Sequence, residues 1–292
     1  MNRQSQNEAC ETYLLGHTPA ALQRLLAQGQ MVNPFTRQVL ENAGLTRGMK
    51  VLDVGCGPGD VSLIAADLVG EMGSVLGIDA SVEALRLAQS RIQEASLTQV
   101  SFRAENLLDL TLDQEFDAVV GRFILMHLPE PAAVVRHLTQ SLRPGGIVVF
   151  QEYDLTSRTA AFYPPSPLWE QVWTWCTQPF HQAGGDLQTG MKLYGTLLEA
   201  GLPTPQMRYE AAVGAGPDWV GYEWWAETVR PFLPLIQQFG LATEEDIGIE
   251  TLAERLREET VSRAGVARGP ALVSAWVRKK RKAAHGRADS VG

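Results

Sequence analysis

The chain has 292 residues, 45% hydrophobic and 20% charged, the make-up of a globular protein with one large or two small domains. Its net charge is −8; Arg278, Lys279, Lys280, Arg281, Lys282 and Arg287 against Asp289 leave a strongly acidic body, which argues against a nucleic-acid footprint. No apolar run is long enough for a membrane span, and Cys10, Cys56 and Cys176 have neither metal-ligand nor disulfide-framework spacing.

Residues 1–48 read as two helices, with turn signals at Gly16-His17-Thr18-Pro19 and at Asn33-Pro34. Leu22, Leu25 and Leu26 make one apolar face; Val39, Leu40 and Ala43 make the other, which stops at Gly44. Lying before the first strand, these helices are expected to cover a ligand pocket. The opening residues lack a signal peptide's apolar core, which predicts a cytoplasmic location. Strands then alternate with helices: 50–54, 75–79, 100–104, 116–121 and 146–152 read as strands one to five. Near-continuous apolar strands separated by helices predict a parallel sheet buried on both faces. Beyond residue 155 the pattern changes. Residues 156–188 carry Pro164, Pro165 and Pro167, then Trp169, Trp173, Trp175 and Phe180. A helix is expected over 189–200 and a sixth strand over 206–213. Residues 217–268 are helical and aromatic again, and 271–277 reads as the last strand. Every tryptophan except Trp276 falls in the two insertions. The expected organisation is a cover (1–48), a cofactor core (49–155), an insertion (156–188), a core continuation (189–214), a substrate insertion (215–269), a last core strand (270–278) and a solvated basic tail (279–292).

The most informative run is Val51-Leu52-Asp53-Val54-Gly55-Cys56-Gly57-Pro58-Gly59-Asp60. A buried strand breaks into alternate glycines and restarts as a helix at Asp60. Glycine lets the backbone turn sharply and leaves no side chain in a ligand's way. Strand two ends in Asp79, about twenty residues past Gly59, where a carboxylate can accept from a ribose diol. That pattern predicts an adenosine-type cofactor. A dinucleotide loop has GxGxxG and must admit a pyrophosphate. This loop is GxGxG and lies between Asp53 and Asp60, which suits a cofactor with an ammonium and a sulfonium better than a diphosphate.

At this point the chain resembles the class I S-adenosylmethionine-dependent methyltransferases. VLDVGCGPGD is similar to that family's first motif, and GIDAS (77–81) to its second. ENLLDL (105–110) is similar to the adenine-contacting third, FDAVVGRFILMHLPEP (116–131) to the fourth strand and its turn, and LRPGGIVVFQEYD (142–154) to the turn into the fifth strand. Five matches in the right order make the resemblance specific over residues 49–154. It implies a Rossmann-like α/β fold, a doubly wound, mostly parallel seven-stranded sheet with N-terminal cover helices and helical insertions. Its last strand would enter antiparallel between the fifth and sixth. It also implies S-adenosyl-L-methionine as cofactor and methyl transfer to O, N or C of an acceptor. The aromatic insertions favour a small, partly apolar or aromatic substrate. A nucleic-acid or protein methyltransferase and a non-catalytic S-adenosylmethionine-binding regulator stay open as alternatives, as does homodimerisation; no metal site is expected.

On that resemblance, Asp53, Gly55, Gly57, Gly59, Asp79, Ala80, Glu105, Asn106, Leu107, Gly121 and Arg122 would hold the cofactor, with Tyr13 of the cover stacking over it. Asp53 would orient the loop or reach the amino group, Asp79 the ribose hydroxyls, and Arg122 the cofactor carboxylate. His127 is the general-base candidate, because an ordinary imidazole titrates near neutral pH. Glu152 is the second catalytic candidate. Glu152 and Asp154, two apart on a strand, share a face, expected to be the one towards the cleft mouth. Asp154, Trp173, His181 and Trp225 are the expected substrate contacts. Packing competes with function for the tryptophans, and Gly184-Gly185 reads as a hinge.

Overall fold

The computed structural model describes residues 19–156 and 162–281, and all structural statements concern these. Helix α1 spans Pro19–Ala43. The alternating unit follows: β1 Lys50–Val54, α2 Asp60–Val69, β2 Ser74–Asp79, α3 Val82–Glu94, β3 Val100–Ala104, β4 Phe116–Arg122, α4 Pro131–Leu138 and β5 Leu142–Asp154. Next come β6 Phe162–Tyr163, α5 Pro167–Gln182, α6 Thr189–Glu199, β7 Gln206–Glu210, β8 Val213–Gly214 and α7 Gly221–Val229. The chain closes with α8 Leu233–Gln238, α9 Glu244–Ile247, α10 Leu252–Ser262, β9 Val266–Arg268 and β10 Ala271–Arg278.

Seven strands form the main sheet in the order β3-β2-β1-β4-β5-β10-β7. β1 pairs parallel with β2 and β4, and β10 runs antiparallel to both β5 and β7, so the last strand does enter between the fifth and the sixth. The apolar character of β1 follows from its place. Val51, Leu52 and Val54 are fully buried because helices cover both faces. Val51, Val120 and Val149 pack under α1 and α2 with Leu40 and Ala65. Leu52, Val119 and Phe150 pack against Val135 of α4 and Leu193 and Leu197 of α6.

Three sequence expectations are corrected here. Asn33-Pro34 does not divide two helices; α1 is continuous, with Pro34 inside it. Pro34 lies on the exposed face, where water can satisfy the carbonyl left without a donor. A buried stripe runs straight through, from Ala21 through Arg24, Gln28, Val32 and Thr36 to Leu40 and Ala43. Three of its members are polar, so apolar periodicity alone could not follow it. The expected strand 206–213 is two elements, with β7 in the main sheet and β8 in a small antiparallel sheet ordered β6-β9-β8. Strands of two or three residues have no readable alternation. Gly184-Gly185, expected as a hinge, closes α5. Gly184 takes φ +91°, and the N–H groups of Gly184 and Gly185 donate to the carbonyls of His181 and Phe180.

The two insertions fold together. Trp169, Trp173, Trp175 and Phe180 of α5 share one apolar cluster with Tyr222, Trp224 and Trp225 of α7 and with Phe232. The Trp169 and Trp225 rings meet edge to face at 6.0 Å, and Trp173 lies 5.9 Å from Trp225. Trp169 Nε1 donates to Thr260 Oγ1 of α10 at 3.2 Å, which satisfies a buried polar tip. No helix among the described residues is long and apolar enough to cross a membrane.

Candidate functional site

The β1–α2 loop turns because Gly55, Gly57 and Gly59 all take positive φ, +67°, +53° and +85°. Their surroundings differ. A Cβ on Gly55 would stand 2.7 Å from the Ile124 side chain, and one on Gly59 3.1 Å from Ala88 Cβ. One on Gly57 would meet nothing within 4 Å. Close packing therefore accounts for the outer two glycines, and the middle one faces open space.

Asp79 ends β2 beside that opening. Its Oδ2 accepts from Gly57 N–H at 2.8 Å and its Oδ1 from Ser81 N–H at 2.8 Å. Ser81 Oγ in turn caps α3 by accepting from Ala84 N–H. The carboxylate of Asp79 is thus left to shape the loop, with Ala80 exposed next to it. Asp53 lies below, almost fully buried. Its Oδ2 accepts from Ser62 Oγ at 2.6 Å, and its Oδ1 has no hydrogen-bond partner among the described residues. Burial pushes the Asp53 carboxyl up to about 7, against the pull of Ser62 and Arg122.

Arg122 ends β4 and is clamped from α1. Its Nη1 donates to Asn33 Oδ1 at 2.9 Å and to Thr36 Oγ1 at 2.7 Å. Burial lowers its pKa, and Asp60 is the leading charge opposing that shift. Asn33 also donates from Nδ2 to Asp60 Oδ1 at 3.3 Å, where Arg91 Nη2 arrives at 3.1 Å. Arg91 Nη1 holds the loop itself through Pro58 O at 2.6 Å. Sequence reading missed Asn33, Thr36, Ser62 and Arg91. Asn33 beside Pro34 reads as a turn in sequence; the clue to its role is the polar set at helical spacing on α1.

On the third-motif segment, Glu105 pairs with Arg103 Nε at 2.6 Å while its N–H donates to Asp79 O. Asn106 Oδ1 accepts from Leu108 N–H at 3.0 Å, and Leu107 is buried under the sheet. Gly121, expected beneath the methionine end of the cofactor, is held small by strand packing, since a Cβ there would stand 2.7 Å from the Phe150 ring and 3.0 Å from Val54 Cγ2.

The turn after β4 carries His127 on a short 3-10 helix, Leu125–His127. Burial, with a smaller contribution from Arg24, brings the imidazole down to about 4. The ring is neutral at pH 7, which corrects the expectation of an imidazole titrating there. Glu152 and Asp154 do share a face, but it is not the one turned to the insertions. Their strand neighbour Phe150 packs with Leu193 and Leu197 of α6. Tyr153, on the opposite face, joins the insertion cluster and stacks on Phe123 at 4.1 Å. Glu152 Oε1 accepts from the N–H groups of Ile124 (3.0 Å) and Leu125 (2.7 Å), so Glu152 fastens the turn that carries His127. Full burial pushes its carboxyl up to about 8 despite those bonds. Asp154 Oδ1 accepts from Thr156 N–H and Oγ1, and its Oδ2 from Tyr209 OH at 3.3 Å.

Trp173 and Trp225 lie in the packed aromatic cluster, both buried. His181 is exposed in the last turn of α5, with Nδ1 3.4 Å from Gly185 O. Tyr13 lies outside the described residues. The structure thus brings together Asp53, Gly57, Asp79 and Arg122, with Glu152 and His127 one turn away.

A doubly wound sheet with an acid-flanked glycine loop at the carboxyl ends of its strands defines a nucleoside-binding α/β protein. A family model described as a methyltransferase domain matches residues 45–201. The chain belongs to that family, and so to the class I S-adenosylmethionine-dependent methyltransferases. A demethylmenaquinone methyltransferase of Bacillus pumilus is 34% identical over 107 residues, 36% of this chain and 46% of the relative. A ubiquinone biosynthesis O-methyltransferase of Albidiferax ferrireducens is 36% identical over 122 residues, 41% of this chain and 47% of the relative. The chain spans about half the length of the curated relatives it matches. A SAM-dependent methyltransferase from Aquifex aeolicus shares the fold with TM-score 0.51 at 21% identity, covering 66% of this chain and 92% of that one. A cyclopropane-fatty-acyl-phospholipid synthase-like protein from Lactobacillus casei does so with TM-score 0.55 at 19% identity, covering 95% and 100%.

Proposed function

We propose that the chain transfers the methyl group of S-adenosylmethionine to a small, partly apolar acceptor, with a hydroxylated aromatic or quinone as the leading class. The observation that carries this reading is the Gly57–Asp79 pair, a backbone opening with no side chain in it beside a fixed carboxylate. The surrounding chemistry fits the cofactor. The carboxylate at the opening is that of Asp79, since Asp60 is paired with Arg91 Nη2 at 3.1 Å, and Asp53 Oδ1 is a buried acceptor with no hydrogen-bond partner among the described residues. A cationic sulfur nucleoside suits that setting and a diphosphate does not. When bound, S-adenosylmethionine supplies an electrophilic methyl carbon.

The protein's task is then alignment and exclusion of water. Asp79 would hold the ribose end and Gly57 would admit it. Glu105, Asn106 and Leu107 would border the adenine, and Arg122, steadied by Asn33 and Thr36, would set the position of the amino-acid end. His127, held neutral at pH 7 by burial, would accept a hydrogen bond from an acceptor hydroxyl and so position it. Met31, Phe35, Phe123 and Met126 supply half-buried apolar surface next to that turn, in keeping with an aromatic acceptor. The names of the quinone-pathway relatives support the same class.

The test is calorimetry with S-adenosylhomocysteine, followed by transfer of labelled methyl to a panel of hydroxylated quinones, phenols, peptides and RNA. Binding together with label on a phenol or quinone is the expected result. Binding with label on RNA or peptide, or with no transfer to any acceptor, would overturn the substrate class; absence of binding would overturn the whole reading.

A further inference from the structure

We propose that the chain self-associates through the open edge of its main sheet, with β7 of one copy pairing antiparallel with β7 of a second. Among the described residues β7 pairs only with β10, so its outer edge presents unpaired backbone groups. Its sequence, Gln-Met-Arg-Tyr-Glu, contains no proline, and its two charges, Arg208 and Glu210, are of opposite sign, so they protect the edge less against a copy of itself than like charges would.

The register decides what else lies on this edge. Met207 and Tyr209 stand opposite Ala275 and Val273, which pack with Leu193 and Leu197 of α6. Met207 and Tyr209 are therefore on the α6 face of the sheet, and both are exposed. On α6, Met191, Tyr194 and Leu198 are also exposed, and their spacing puts them along one flank. The opposite flank faces α4, whose Arg136 Nη2 donates to Glu199 O. The apolar flank of α6 thus turns towards β7. Helix and strand form one continuous apolar surface of five large side chains, a feature that marks an interaction site on a soluble domain.

Charge selects a second copy as the occupant. A two-fold axis through Tyr209 sets Arg208 opposite Glu210 of the second copy and Glu210 opposite its Arg208. Both residues lie on the face away from α6, where Arg208 Nη2 and Glu210 Oε1 of one chain are already 2.9 Å apart. Closure would turn this pair into a ladder of alternating charges, while on the α6 face Tyr209 meets Tyr209 and Met207 meets Ala211. The strand is complementary to itself, as an isologous interface requires.

Sedimentation velocity and light scattering on the full chain over about 1–100 µM test this. The expected mass is twice 32.0 kDa. Arg208→Glu places acid opposite acid and weakens association by about tenfold or more, the size expected of like-charge cross-strand pairs. The double variant Arg208→Glu/Glu210→Arg restores it. Leu198→Glu, at an exposed helix position, weakens it without changing the melting curve recorded at a concentration where the wild type is monomeric. In the wild type, amide exchange over 206–210 slows as concentration rises, and a chain ending at residue 281 associates like the full chain. A monomer at every concentration overturns the proposal. So does a dimer untouched by Arg208→Glu and Leu198→Glu, a double variant that fails to restore association, or loss of association on removing residues 282–292.

Discussion

Glu152→Ala is predicted to cost far more stability than Glu152→Gln, and the difference follows from the two backbone groups Glu152 holds. Its Oε1 accepts from Ile124 N–H and Leu125 N–H in a site with no solvent exposure. Alanine leaves both donors buried without a partner, at about 1–3 kcal/mol each, and adds a cavity. A loss of about 3–6 kcal/mol is expected. Glutamine keeps the accepting oxygen in place and should cost less than about 1 kcal/mol at pH 6. The pH dependence gives a second readout. The folded carboxyl titrates at about 8, the unfolded one near 4.5. The native state holds the proton longer, so stability falls as pH rises above the lower value and levels off beyond the upper. At about 1.4 kcal/mol per pH unit, Glu152 alone can remove up to roughly 4 kcal/mol between pH 5 and 8. Asp53, raised from 3.8 to about 7, adds a decline of the same sign over a lower window. Urea denaturation from pH 5 to 8.5 reads both effects. Glu152→Gln should flatten the upper part of the decline. An alanine variant within about 1 kcal/mol of wild type, or a glutamine variant with the wild-type slope, would refute the reasoning.

Three further predictions concern the loop and the turn. Asp79→Ala removes the acceptor for Gly57 N–H and should weaken S-adenosylhomocysteine binding by about 1–3 kcal/mol in calorimetry; unchanged affinity would exclude Asp79 from the ribose role. Gly57→Val puts a branched side chain into the open space at φ +53° and should abolish that binding while the protein still melts cooperatively; retained affinity would place the cofactor elsewhere. His127 titrates at about 4, so the pH–rate profile should show no limb from it between pH 6 and 8. A limb near pH 6.5 that vanishes in His127→Gln would show an imidazole far better solvated than its burial implies.

The core could be read from sequence wherever local pattern and global position coincide. Val51, Leu52 and Val54 are apolar because they are central in the sheet, and Gly57 and Asp79 stand out because a turn and a strand end demand them. Glu152 misled because a carboxylate at a strand end reads as exposed chemistry. Which face it takes depends on α6, which begins some thirty-five residues later and packs on Phe150 from that side. Asn33 looked like a turn residue beside Pro34. Its actual partners, Arg122 and Asp60, are 89 and 27 residues away, and no local pattern records such a bond. The tryptophans were visible as a group, but their packing against one another is set by ring-to-ring geometry.

The small sheet β6-β9-β8 has a consequence for chimeras. It staples chain from both insertions, since Phe162 registers with Ala267 and Val213 with Arg268. A hybrid that grafted only one of these segments onto a relative would sever the staple and bare indole rings to water. Retargeting by segment exchange would have to move both pieces as a single cassette.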